Sequence, residues 1–204
     1  MSTNIFDQLR ADDETLARLH QRLERDAAAD HMLDVAYRTV DSPVGPLLLA
    51  ATTAGLVRVA YDVEDHDAVL TRLATVVSPR LLRAPGRLDA AARQLDEYFT
   101  RRRTAFEVPV DLRLAAGFRR NVIEHLPAIG YGRRASYAEV AAAVGNPRAV
   151  RAVGSACAHN PLPVVIPCHR VVRSDGSTGQ YVGGPVAKAA LLDLESVGDG
   201  TNES

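Results

Sequence analysis

The stretch SYAEVAAAVGNPRAVRAVG, Ser136 to Gly154, decides how this chain is read. Ser136, with Glu139 three residues on, forms a capping box in which each side chain bonds the other's backbone N–H, and it starts a helix over "YAEVAAAV". Gly145 stops that helix, Asn146 can cap the next, and Pro147 suits a first helical turn, where a missing N–H costs nothing. Helix, tight glycine-containing turn, helix is the outline of a helix-turn-helix, although a plain helical hairpin has the same pattern. The second helix, "PRAVRAVGSACAHN", is built largely from small residues, with Arg148 and Arg151 standing out from them. Small side chains let a helix backbone come close to what it faces: either a neighbouring helix, or a nucleic-acid groove with an arginine projecting.

Charge distribution bears on that choice without closing it. The chain carries a net charge of -1, but the segment from Gly117 to Arg173 holds eight arginines (119, 120, 133, 134, 148, 151, 170 and 173) against Glu124 and Glu139. That is 8 − 2 = +6, leaving −7 for the remainder. A basic segment in a near-neutral protein points to an anionic partner, nucleic acid first, with a solvated arginine face as the plain alternative.

Just beyond lies "VVIPCHRVV", Val164 to Val172, where a cysteine, a histidine and an arginine interrupt a run of branched apolar residues. Cys168 is either a buried structural thiol or a nucleophile. A free thiol needs a base to become a thiolate at neutral pH, and His169 is adjacent. In an extended strand, however, neighbouring side chains point to opposite faces, so contact requires a local twist or a bridging water. The imidazole also needs an acid to orient it. Glu195 suits, because it ends the helix-like run "VAKAALLDLE"; Asp175 and Asp193 are rivals. Cys157, among alanines with no acid–base neighbour, reads as a structural thiol.

Upstream, Phe118, Val122, Ile123 and Leu126 line a helix ended by "IGYGRR". From Leu33 to Asp62 the pattern is strand-like: "DVAYRTV", "LLLAAT" and "LVRVAYD" are separated by the turn signals "DSPVGP" and "TAG", giving a small antiparallel sheet. Helices follow at about 66–77 and 87–102, the second with Leu88, Ala91, Ala92, Leu95 and Phe99 on one side. "FEVPVDL" is then a strand or an extended connection. Residues 12–30 carry Leu16, Leu19 and Leu23 among charges, an amphipathic helix ahead of the main body. The fold class is thus α+β, with a small N-terminal sheet and helices and a mostly helical C-terminal part holding the helix-turn-helix.

The 204 residues, 47% hydrophobic, suffice for one large domain or two small ones. No apolar run is long enough to span a membrane, and "MSTNIFDQLRADDETLARL" lacks the apolar stretch of a signal peptide. Two cysteines with no His/Cys cluster at metal spacing argue against a disulfide framework and a zinc site. A reduced, cytoplasmic setting is expected, with no metal and no membrane partner.

"IPCHRVV", followed by "SDGSTGQYVGG" and "KAALLDLE", resembles the active-site region of the O6-alkylguanine-DNA alkyltransferases, the methylated-DNA–protein-cysteine methyltransferases. "SYAEVAAAVGNPRAVRAVG" is similar to that family's helix-turn-helix and "HNP" to its Asn-Pro hinge. The resemblance is strong over Phe118–Glu195 and weaker over Tyr37–Leu112, where "TVDSPVGPLLLAAT" is similar to the family's ribonuclease H-like N-terminal domain. Residues 1–32 fall outside it. It implies an N-terminal extension (1–32), an α/β structural domain (33–111), a DNA-binding and active-site domain (112–196) and a flexible tail (197–204).

For the site the resemblance implies that Cys168 is the thiolate that takes an alkyl group from guanine O6, with O4-alkylthymine a further candidate substrate. His169, through a water, would take the thiol proton and Glu195 would hold His169. Tyr137 would hydrogen-bond the base, and Arg151 would replace the extruded nucleotide in the stack. Ser136, Arg148, Ala152 and Gly154 would meet DNA. Asn160 would fix the hinge turn, and Pro167, Arg170, Tyr181, Val182, Gly183 and Gly184 would shape the pocket. The partner implied is double-stranded DNA carrying O6-alkylguanine, bound in the minor groove largely without regard to sequence, by a nucleoid-associated monomer whose N-terminal helix is available for self-association. No cofactor is implied, since the lesion is the alkyl donor. A non-repairing, alkyltransferase-like lesion sensor is the alternative, but such relatives lack the cysteine that Cys168 supplies. A plain helix-turn-helix transcription factor leaves Pro167-Cys168-His169-Arg170 unexplained, and a Cys-His hydrolase lacks a family signature here.

Overall fold

The computed structural model describes residues 13–29 and 32–196. The expected flexible tail, 197–204, lies outside the described residues, as do residues 1–12 of the expected extension.

The element order is α1 (Asp13–Ala29), β1 (Val35–Val40), β2 (Leu47–Thr52), β3 (Gly55–Tyr61), α2 (His66–Val76), β4 (Leu81–Arg83), α3 (Asp89–Phe99), α4 (Gly117–His125), β5 (Ala135–Ser136), α5 (Tyr137–Ala143), α6 (Val150–Ala158), β6 (Val171–Val172) and α7 (Gly184–Ser196). The three expected strands pair antiparallel, β1 with β2 and β2 with β3. A fourth, β4, adds to the free edge of β1 in parallel, so the sheet order is β3-β2-β1-β4 and the sheet is mixed. "FEVPVDL" runs as an extended connection, joined to the sheet by a parallel bridge between Leu56 and Val110 and by Thr52 of β2, which donates to the Asp111 carboxylate at 2.6 Å.

Strand β2 explains the layering. Every residue of LLLAAT is buried, the mark of a central strand covered on both faces. Leu48 and Ala50 face a small cluster with Val35, Val57, Val69 and Leu73, where α2 packs. Leu47, Leu49 and Ala51 face the opposite way, into the main core, shared with α3 and with the helices of the C-terminal half. The sheet therefore buries one face directly against the part of the chain that carries Cys168.

Helix α3 is rotated relative to the sequence reading. Its buried positions are Ala91, Gln94, Leu95 and Tyr98, so Tyr98, not Phe99, points to the centre of the core. The turn Pro85–Leu88 ahead of α3 is 3-10 helix. Helix α1 forms as expected, but Leu16, Leu19 and Leu23 are half exposed. It contacts the body at His20 and Ala27, which share the stripe of those leucines: the His20 ring meets the Arg83 carbonyl at 2.6 Å and Ala27 packs on the core.

The capping box that opens α5 is formed on both sides: Glu139 N–H donates to Ser136 Oγ at 3.1 Å and Ser136 N–H to the Glu139 carboxylate at 2.6 Å. Gly145 takes the left-handed conformation that ends α5, φ +78°. Helix α6 starts later than its sequence suggests. Ala149 N–H donates to the Asn146 carbonyl, so residues 146–149 close a turn and the helix begins at Val150. The Asn146 side chain does not cap it, and Arg148 sits in the turn.

Candidate active site and nucleic-acid interface

The short parallel pair of β5 and β6 aligns Ala135 with Val171 and Ser136 with Val172. This register places Tyr137, first residue of α5, alongside the segment that follows Cys168. Cys168 itself is not on a strand: Cys168–Arg170 is a turn of 3-10 helix, begun at Pro167, whose carbonyl accepts from Arg170 N–H at 3.1 Å. Side chains about 120° apart replace the two-faced alternation of a strand, and Cys168, His169 and Arg170 are all buried.

The sulfur of Cys168 accepts a hydrogen bond from Asn160 Nδ2 at 3.1 Å. The same Nδ2 donates to the Ile166 carbonyl at 2.8 Å, while Asn160 Oδ1 accepts from Leu162 N–H at 3.0 Å. The loop between them is tight: Val164 holds φ +71°, a left-handed conformation rare for a β-branched residue and costing on the order of 1–3 kcal/mol.

His169 is fully buried, with Nε2 at 2.9 Å from Glu195 Oε1. Its other nitrogen, Nδ1, is buried with no protein partner. Glu195, on the last turn of α7, also accepts from Tyr98 Oη at 2.6 Å, from Arg170 Nε and Nη2 at 2.9 Å each, and from Gly132 N–H at 3.2 Å. Burial alone would raise the Glu195 carboxyl; the hydrogen bonds from His169 and Arg170 outweigh it and hold it at about 2. The rival acids are exposed, Asp175 bonding the Ser177 N–H. Arg170 is thus the buried counter-charge of Glu195, donating also to the Ile129 carbonyl at 2.5 Å, and does not line the pocket as expected.

Burial favours the neutral forms of both the thiol and the imidazole. Burial pushes the Cys168 thiol up to about 11, with the Asn160 donor and the Lys188 charge pulling the other way. Burial also draws the His169 imidazole below its usual range, against the hydrogen bond to Glu195 that favours its charged form. Cys157 is buried and its thiol is likewise raised by burial. Lys188 has no exposed surface; its Nζ donates to the Val171 carbonyl at 2.6 Å and lies 5.9 Å from the centre of the Tyr137 ring. Neither Lys188 nor Tyr98 is singled out in the sequence reading. The available signals were a lysine inside an apolar helix face and a tyrosine one place from the predicted stripe.

Tyr137 is half buried, and burial raises its hydroxyl. A side chain at Gly179, φ +65°, would lie 2.8 Å from the Tyr137 oxygen. Tyr181 and Val182 are half buried beside it, and the Tyr181 hydroxyl is 3.0 Å from that of Tyr61 on β3. Gly183 is required by packing, because a Cβ there would meet the Tyr61 ring at 2.7 Å. Gly184 opens α7 at φ +81°.

Outside this pocket, Ser136 is half buried as the cap of α5, and Arg148, Arg151 and Ala152 are exposed. Gly154 faces Tyr137, a Cβ there coming within 3.9 Å of the ring. The basic segment is smaller than its count of eight: Arg170 neutralises Glu195, Arg120 pairs with Glu124, and Arg119 donates to the Leu114 carbonyl. Arg133, Arg134, Arg148, Arg151 and Arg173 remain, all exposed.

A family model for the DNA-binding domain of 6-O-methylguanine DNA methyltransferase matches residues 117–197, and one for its ribonuclease-like domain matches residues 35–112. The chain is 39% identical over 167 residues to the methylated-DNA–protein-cysteine methyltransferase of Mycobacterium bovis, covering 79% of this chain and 92% of that one. It is 36% identical over 162 residues to the constitutive enzyme of that name from Bacillus subtilis, covering 79% and 95%. Among solved structures it resembles Mycobacterium tuberculosis OGT in complex with DNA, with a TM-score of 0.69 at 38% identity over 79% of this chain and 93% of that one.

Proposed function

The chain belongs to the 6-O-methylguanine DNA methyltransferase family, and from that premise we infer how its own residues carry out direct-reversal DNA repair by methyl transfer to a cysteine of the protein. Cys168 is the acceptor. Its proton passes to His169 Nδ1 through a bridging water, and the thiolate attacks the alkyl carbon on O6 of the flipped guanine. The S–C bond forms as the C–O6 bond breaks; the electron pair stays on the guanine, which is then reprotonated. Tyr137 hydrogen-bonds the base and offsets the departing negative charge. Glu195 stabilises the imidazolium and fixes its tautomer, since Nε2–H donating to the carboxylate leaves Nδ1 as the acceptor.

The observation that carries this reading is the buried pairing of the two ends of the relay: an amide donor 3.1 Å from the sulfur, and an imidazole tied by Nε2 to Glu195 with Nδ1 unpartnered. The product is a thioether with no good leaving group, so each molecule reacts once. The lesion is the alkyl donor and no cofactor enters the scheme.

DNA is the partner. In our reading α6 enters the minor groove, about 6 Å wide, which its small residues Ala152 and Gly154 permit. Ser136, Arg148 and the other exposed arginines meet phosphates, so binding is largely independent of sequence and sensitive to salt. Arg151 fills the space of the extruded nucleotide, helping offset the few kcal/mol that unpairing costs. Asn160, Pro167 and the Tyr181–Gly184 segment frame the pocket, and O4-alkylthymine is a second candidate substrate. The protein acts as a monomer at the nucleoid, with residues 112–196 binding DNA and holding the reacting groups and residues 33–111 supporting them. Cys168→Ala tests the assignment: it should abolish transfer and retain DNA binding, whereas residual transfer would move the nucleophile to Cys157.

A further inference from the structure

Strand β3 carries an arginine where its neighbours are apolar, and the side chain is only 16% exposed. Arg58 Nη1 donates to the backbone carbonyls of Asn160 and Pro161, each at 3.3 Å, across 102 and 103 residues of sequence. The Pro161 carbonyl also accepts from Val59 N–H at 2.9 Å. On its other side the guanidinium pairs through Nη2 with Glu64 Oε2, and Glu64 Oε1 accepts from Tyr61 N–H at 3.0 Å. The end of β3 and the 3-10 turn Asp62–Glu64 thus form a rigid seat for one turn of the C-terminal half.

That turn holds Asn160, whose side chain has no orientational freedom left. Both amide hydrogens are used, on Ile166 O and Cys168 Sγ, and Oδ1 accepts from Leu162 N–H. Flipping the amide would set oxygen against the Ile166 carbonyl and the sulfur, and NH₂ against an N–H. The distance from Nδ2 to the sulfur therefore depends on where the turn as a whole sits, and the turn is held from outside by Arg58 and Val59. An N–H donor on sulfur stabilises thiolate more than thiol.

We propose that Arg58 is a positioning residue for the alkyl transfer: it holds the Asn160–Pro161 turn against β3 and so keeps the Asn160 amide on the Cys168 sulfur. Glu64 anchors the guanidinium in that role. The inference rests on the reading of Cys168 as nucleophile, and gives the sheet a direct part in the chemistry.

The test is the rate at which free O6-methylguanine base alkylates the protein, followed by intact mass across the titration range of the thiol. The free base removes DNA affinity from the comparison. Arg58→Met, which keeps the stem and removes the donors, is expected to slow alkylation about tenfold and to move the rate profile upward by about one pH unit, the equivalent shift in thiolate population. Arg58→Lys, with one donor group in place of a fork, should recover part of the loss. Glu64→Gln should show a smaller loss of the same sign, and it carries the test if Arg58→Met does not fold by circular dichroism. A wild-type rate and profile in Arg58→Met overturns the proposal, as does a slower rate with an unmoved profile that simply follows a lower melting temperature. If the wild-type protein gains no alkyl group at Cys168, the nucleophile assignment itself falls. A wild type alkylated there, with Arg58→Met unchanged, overturns the role of Arg58 alone.

Discussion

Replacing Tyr98 by phenylalanine removes one oxygen from the centre of the molecule and should be felt in a defined way. Tyr98 is fully buried, and its ring packs against Phe99, Phe106 and Tyr131 at 5.4, 5.3 and 6.1 Å between centroids. Phenylalanine retains those contacts and leaves no methyl-sized cavity. The hydroxyl donates to Glu195 Oε1 at 2.6 Å, and hydrogen bonds to ionised groups contribute about 1.5–3 kcal/mol. Oε1 keeps His169 Nε2 at 2.9 Å and Arg170 Nη2 at 2.9 Å, so the carboxylate is not orphaned and the lower end applies, about 1.5–2 kcal/mol. For a chain of this size that corresponds to a fall of about 3–8 °C in melting temperature. Urea unfolding should show a lower midpoint with an unchanged slope. In a Glu195→Gln background the same substitution should cost about half as much, because charge assistance roughly doubles such a bond. A loss below about 0.5 kcal/mol, or equal losses in both backgrounds, would refute the view that this hydroxyl serves an ionised Glu195.

Glu195→Gln by itself leaves Arg170 buried without its counter-charge and is expected to cost about 3–5 kcal/mol, read by urea unfolding near neutral pH. The Glu195 carboxyl is held at about 2 against the usual 4.5. Its contribution is therefore fully present above about pH 4.5 and is lost as pH falls from there toward 2. A wild-type stability that does not fall across that window would contradict the buried ion pair. Arg151→Ala should weaken repair of duplex DNA at least tenfold more than reaction with the free base, measured as paired transfer rates; equal losses would remove it from base extrusion.

Local pattern carried much of this architecture. Strands β1 to β3 were legible because alternating or continuous apolar runs were separated by Pro- and Gly-containing turns, and α5 because its capping box is a purely local device. Strand β4 was not: its three residues, Leu81–Arg83, have no period to detect, and only the exposed edge of β1 makes them a strand. Helix α6 began late because the backbone of Asn146, not its side chain, closed the preceding turn. At the site, Cys168, His169 and Glu195 stood out through adjacency and helix position, with the family resemblance deciding between Glu195 and its rivals. The 3-10 turn at Cys168–Arg170 did not stand out in a run of valines that favours strand. Local sequence marked Tyr98 and Lys188 only faintly, as a tyrosine beside the predicted stripe and a lysine in an apolar helix face, and held no sign of the partners of Arg58. Each owes its place to partners brought together only by folding, 97 residues distant for Tyr98 and Glu195 and 102 for Arg58 and Asn160.

The role of Cys168 as acceptor of the alkyl group from DNA can be tested on the intact protein. The most direct measurement is intact-protein mass after incubation with duplex DNA carrying a single O6-methylguanine, followed by peptide mapping. One added methyl group per molecule is expected, confined to the peptide that contains Cys168. Tight binding to the lesion with no gain in mass, or a methyl group mapped to Cys157, would contradict it.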